Sequence, residues 1–167
     1  MATHVGFIPE NLTDPNYLPV VAAVKAVANY CKKNGQSFLF ETGQETPVTL
    51  LRVIEDSGCD NLGINYDTAN LILYGKANSA DAITVFGKYV MDTHIKDGFY
   101  PTNGTELGRE VKAGEGLANF PLILKRLKDV GYTGCFTIER EIAGEEQIAD
   151  IVHARDLLRS IDAELSK

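Results

Sequence analysis

Short apolar runs alternate along this chain with longer stretches in which apolar residues recur every three or four positions. The runs at 4–8 (HVGFI), 37–41 (SFLFE), 62–67 (LGINYD), 89–95 (YVMDTHI) and 135–140 (CFTIER) read as strands, because they are short, rich in β-branched and aromatic residues and largely apolar. Between them the period becomes helical. Residues 17–33 carry an Ala/Val stripe and stop at Asn34 and Gly35. At 46–58, Thr46 supplies a cap, Pro47 suits the first helical position and Gly58 ends the helix. Ser79 is positioned to cap SADAITVFGKY, and Asn119 to cap NFPLILKRLKDVG, which closes on Gly131. A last helix from about Glu145 to Leu165 puts Ile148, Ile151, Ala154, Leu158, Ile161 and Leu165 on one face. Strand followed by helix, five times over, predicts right-handed βαβ units on a parallel sheet, an α/β fold forming a single domain over 1–167.

The charged residues at the ends of the apolar runs add a second pattern. Glu41, Asp67, His94 and Glu139 each stand where a strand leaves the core. About one βα unit separates the first three in turn, and the longer interval to Glu139 contains a polar insertion at 97–118. In a parallel sheet all carboxyl-terminal strand ends lie on one side, so the four side chains are brought to the same face. A single strand-end carboxylate is commonly a helix cap, and a single histidine is commonly a hydrogen-bonded core residue. Four together form a ligand set of three carboxylates and one imidazole, suited to Mn²⁺ first, with Mg²⁺, Co²⁺ or Zn²⁺ as alternatives. Gathering three carboxylates without a cation is costly, which favours the metal reading.

Composition narrows the partners. The formal charge of −7, with acidic residues spread along the chain, argues against nucleic acid, whose binding rests on Lys and Arg. Three cysteines without a CxxC pair suggest neither a disulfide framework nor a thiolate zinc site, and point to a reducing cytoplasm. No apolar run approaches the roughly 20 residues that span a bilayer, so no membrane role is expected.

The segments FLFETGQE, NYDTANLILYG, DTHIKDG and VKAGEGLANFPLILKRLKDVGYTGCFTIERE resemble motifs of the xylose-isomerase-like TIM-barrel superfamily of sugar and sugar-phosphate isomerases and epimerases, which also holds dehydratases and endonuclease-IV-like enzymes. The resemblance covers nearly the whole chain. It implies a partial TIM barrel, about strands 4–8 of a (β/α)₈ barrel, with Glu41, Asp67, His94 and Glu139 as metal ligands. It also implies proton transfer beside the carbonyl of a small-molecule sugar or sugar phosphate, with Glu41 and Glu139 moving the proton while the metal acts as Lewis acid on the developing enediolate. Asn70, Lys96 and Arg109 are the candidates for substrate binding, and AGEG at 113–116 is a turn with backbone amides that a substrate could use. Asn70 stands where the endonuclease-like members carry a histidine, and Gly108 and Glu110 replace their Asp-x-His pair, which speaks against DNA cleavage. A metal-dependent dehydratase of a cyclic polyol, and a half-barrel that binds metal without turnover, are the competing readings. Five parallel strands left open expose two edges, so a homo-oligomer is expected.

Overall fold

The computed structural model describes residues 1–167 as a parallel five-stranded sheet backed by helices. In chain order the elements are β1 (Ala2–Thr3), α1 (Tyr17–Lys33), β2 (Phe38–Glu41), α2 (Pro47–Ser57), β3 (Leu62–Asp67), α3 (Asn70–Leu73), α4 (Ser79–Phe86), a 3₁₀ turn (Gly87–Tyr89), β4 (Val90–Ile95), β5 (Asp97–Phe99), β6 (Arg109–Val111), α5 (Phe120–Asp129), β7 (Thr137–Ile138) and α6 (Glu145–Leu165). The sheet order is β1-β2-β3-β4-β7, every neighbour parallel, and β5 and β6 form a separate antiparallel hairpin. This is half of an α/β barrel: the alternation of periods predicts the parallel sheet, and the family resemblance implies the partial barrel.

The helix-facing side of the sheet makes the core. Phe38, Phe40, Leu62, Ile64 and Tyr66 are buried against Leu50, Val53, Ile72, Phe86, Ile123 and Leu127 of the flanking helices. All six residues of β3 are buried, as expected of a central parallel strand. Caps define the helix starts. Thr46 accepts a hydrogen bond from the Thr49 backbone N–H at 3.3 Å, with Pro47 at the first position, and Gly58 closes α2 in the left-handed region (φ 63°). Asn119 caps α5 through the Leu122 N–H at 3.2 Å.

Four expectations need correction. The first strand occupies Ala2–Thr3, not 4–8, because Gly6 turns with φ 90° and takes HVGFI off the sheet. The cap of α4 is Asn78, which accepts from the Asp81 N–H at 3.1 Å, rather than Ser79. Strand 135–140 shortens to Thr137–Ile138, which has a neighbour on one side only. On α6, Ala154, Leu158 and Ile161 are buried as the pattern predicts, whereas Ile148 is 65% and Leu165 37% exposed. The polar insertion at 97–118 is more ordered than its composition suggests, since β5 and β6 lie within it. No helix is long and apolar enough to cross a membrane.

Candidate metal centre

Glu41 and Asp67 are the last residues of β2 and β3, His94 is next to last in β4, and Glu139 follows β7 directly. Their alignment depends on one irregularity. Ile64 pairs with Val90 but Asn65 pairs with Asp92, so Met91 is an extra residue in β4. Without this bulge the register past Ile64 would slip by one and turn the following β4 side chains to the other face; with it, Asp67 sits level with His94. Two threonines then tie neighbouring strand ends together. Thr42 Oγ1 donates to the Asp67 carbonyl at 3.0 Å and accepts from the Asp67 N–H at 2.9 Å. Thr68 does the same for Lys96, with 2.5 and 2.9 Å. Each carboxylate, Glu41 or Asp67, is thus followed by the residue that fixes the next strand beside it.

One ligand atom from each of Glu41, Asp67, His94 and Glu139 lies within 4.8 Å of all the others. His94 Nδ1 is 3.2 Å from Glu41 Oε1 and 3.4 Å from Glu139 Oε2. Asp67 is fully buried; its Oδ1 accepts the N–H groups of Ala69 and Asn70 at 2.8 and 2.7 Å, while its Oδ2 has no hydrogen-bond partner. An orphaned buried carboxylate oxygen beside two further carboxylates and an imidazole fits a divalent cation. The titration behaviour agrees. Burial pushes the Asp67 carboxyl up to about 8. The hydrogen bond with Glu41 raises His94 and lowers Glu41. A site that keeps protons near neutrality is one in which a cation can take their place.

The other predicted residues are placed differently. Lys96 is buried, and its Nζ pairs with Glu139 Oε2 at 3.3 Å and with Glu141, so its ammonium is engaged against a carboxylate of the cluster. Burial alone would lower its pKa, but Asp67, Glu141 and Glu139 together raise it. Asn70 is buried at the start of α3, with its N–H on Asp67. Arg109 is exposed on the hairpin, its guanidinium 5.4 Å from the centre of the Phe99 ring. The amides of AGEG turn inward instead of outward. Gly114 and Gly116 donate to Asp97 Oδ2 at 2.9 Å each, and Gly98 and Ala118 donate to Oδ1 at 2.8 and 2.9 Å.

His4 was not singled out from the sequence, because an expected strand at 4–8 puts it at the wrong end. With the strand at Ala2–Thr3 it follows the carboxyl-terminal end, and Nε2 lies 3.8 Å from Glu41 Oε1.

Comparison with known proteins agrees with this architecture. Residues 2–161 match the xylose isomerase-like TIM barrel family. The chain belongs to that family. A xylose isomerase domain protein from Planctomyces limnophilus superposes with a TM-score of 0.93 at 36% identity, over 99% of this chain and 60% of that one. An uncharacterized protein of Methanocaldococcus jannaschii is 28% identical over 171 residues, 95% of this chain and 55% of that protein. A D-psicose 3-epimerase from Clostridium cellulolyticum H10, solved with D-tagatose, shares the fold at 18% identity, with a TM-score of 0.69, over 94% of this chain and 62% of that one. The chain therefore spans between about half and two thirds of the length of these relatives.

Proposed function

We propose that this chain carries the metal centre of a divalent-metal-dependent isomerase or epimerase acting on a small-molecule sugar or sugar phosphate. The observation that carries the reading is the convergence of Glu41, Asp67, His94 and Glu139 from adjacent strand ends to within 4.8 Å, around a buried carboxylate oxygen with no partner. These four residues would hold the cation, with Mn²⁺ preferred. A bound divalent cation supplies Lewis-acid polarisation of a substrate carbonyl.

The rest of the chemistry falls to the chain. Glu41 and Glu139 enter from β2 and from the end of β7, with β3 and β4 between them, so their carboxylates flank the site from opposite sides. One removes the proton beside the carbonyl and the other returns it; return to the opposite face gives an epimer, return to the neighbouring carbon an aldose or ketose. Lys96 holds the Glu139 carboxylate in place through its ion pair. Asn70 and Arg109 are the substrate contacts in this reading, Asn70 beside the ligands and Arg109 on the hairpin for an anionic end. The epimerase relative with its bound ketose supports the substrate class.

The open sheet favours a second reading, in which the chain binds the cation without turnover unless other protein covers the inner face; a second copy of this chain is the proposed cover. Metal analysis of the purified chain, followed by incubation with ketoses in D₂O, separates the possibilities. Deuterium uptake with a rearranged sugar supports the isomerase or epimerase, and loss of water would replace it with a dehydratase. A bound cation with neither outcome favours the second reading. Unchanged metal content in both His94→Ala and Glu139→Gln would refute the site itself.

A further inference from the structure

Asn65 occupies a place where an apolar residue would be cheaper. It lies two residues before Asp67 on β3, so both side chains leave the same face of the strand, and it is 1% exposed. Its Nδ2 is 3.3 Å from His94 Nε2, and its Oδ1 is buried without a hydrogen-bond partner. Buried amide oxygens in folded proteins are almost always paired, so this one calls for a reason.

His94 supplies it. Nδ1 faces Glu41 and Glu139, and Nε2 points away from them towards Asn65. A neutral imidazole has one nitrogen with a free lone pair; for Nδ1 to bind a cation, the ring proton must sit on Nε2. With Asn65 Nδ2 facing it, Nε2 has to be an acceptor, which is the tautomer in which Nδ1–H donates to Glu41. A half-turn of the Asn65 amide exchanges Oδ1 and Nδ2 in the same space, and no hydrogen bond of Oδ1 is lost, because it has none.

We propose that Asn65 is the positioning residue of the metal centre: with Oδ1 turned to His94 it accepts the Nε2–H, fixes that tautomer and leaves Nδ1 as the nitrogen donor to a divalent cation. The inference rests on the metal reading above. One proton leaves Nδ1 and one is taken up at Nε2 through solvent, so the change of tautomer consumes no net proton. It also accounts for an asparagine, rather than a leucine or valine, on the inner face of the central strand.

The test uses the full chain and Zn²⁺, a diamagnetic probe. Calorimetric titration is expected to show Zn²⁺ binding about 10- to 100-fold weaker in Asn65→Leu, as for loss of other hydrogen-bond partners of metal-bound histidines. Asn65→Asp, which keeps an acceptor, is expected to bind at least as tightly as the unaltered chain. Long-range ¹H–¹⁵N spectra of the three histidines, with His94 assigned by its loss in His94→Gln, are expected to show the Nε2–H tautomer in the Zn²⁺ form. Thermal unfolding of metal-free Asn65→Leu is expected at or above the original temperature, since the substitution removes an orphaned oxygen. If the leucine does not pack, Asn65→Ala takes its place. Unchanged Zn²⁺ affinity in Asn65→Leu or in Asn65→Ala, or an Nδ1–H tautomer in the Zn²⁺ form, would overturn the role of Asn65 while leaving the metal centre standing. No Zn²⁺ uptake by the unaltered chain would overturn the metal centre and this inference together.

Discussion

At the scale of single residues, the centre is governed by burial of charge. The Asp67 carboxyl is raised to about 8 by its burial, against about 4 for an unfolded chain, so between these values the folded chain holds a proton that the unfolded chain lacks. The stability this contributes falls as pH rises through that window. His94, raised by its hydrogen bond with Glu41, adds a loss of the same sign above its ordinary value near 6.5; Glu41, lowered, acts only in acid. The melting temperature of the metal-free chain is therefore expected to fall between about pH 5 and pH 8, and a saturating divalent cation to remove most of the decline. A metal-free melting temperature that climbs across this range would contradict the assignment. A second expectation concerns Thr68, whose hydroxyl both donates to and accepts from the backbone of Lys96. Thr68→Val leaves a buried N–H and C=O unpaired and is expected to cost about 2–4 kcal/mol in denaturant unfolding. The four clustered residues, Glu41, Asp67, His94 and Glu139, were legible in the sequence because a charge that ends an apolar run is conspicuous. Asn65 was not, because a lone amide inside LGINYD looks like part of the run; its spacing of two from Asp67 was the signal that places both on one face.

Among the elements, helices were more legible than strands. Caps such as Thr46 and Asn119, and stops such as Gly58 and Gly131, are local chemistry, so α2 and α5 stand where their sequences put them. Strand extents depend on neighbours that a sequence does not display, and β7, an edge, pairs over only two residues. The Met91 bulge was equally hidden, although it sets His94 level with Asp67. The hairpin of β5 and β6 was concealed by its polar composition, and its anchor is the Asp97 carboxylate, buried among four backbone N–H groups. Gly116 belongs to the same anchor, since a Cβ there would collide with Asp97 and with the Gly98 backbone nitrogen. Asp97→Ala orphans several donors at once and is expected to cost about 3 kcal/mol or more. Limited proteolysis should then cut between residues 99 and 109; a variant as stable and as resistant as the original would show that the anchor is dispensable.

For the whole molecule, the decisive feature is the inner face of the sheet. Leu39, Gly63 and Met91 line it below the carboxylate and histidine cluster, and Met91 is 45% exposed although β4 is an interior strand of the sheet. β1 and β7 are both open edges, and beside β7 a groove of about 260 Å³ is lined by Leu124, Phe136, Ile138 and Leu158 together with Arg155, Arg159 and Asp162. Exposed apolar side chains occur at both ends of the chain, Phe7 at 81% and Ile148 at 65%. Open edges with apolar surface favour self-association, whereas a formal charge of −7 opposes unspecific clumping, so association through defined surfaces is the expected balance. Sedimentation equilibrium of the chain is expected to give a dimer or larger closed species. Thr137→Lys, which puts a charge on the exposed position of the open edge strand, is expected to shift it towards monomer with its circular dichroism retained. Because the same edge carries Glu139, dissociation should also weaken metal retention, and a monodisperse monomer that keeps its cation would show that the half-barrel holds its centre without a partner.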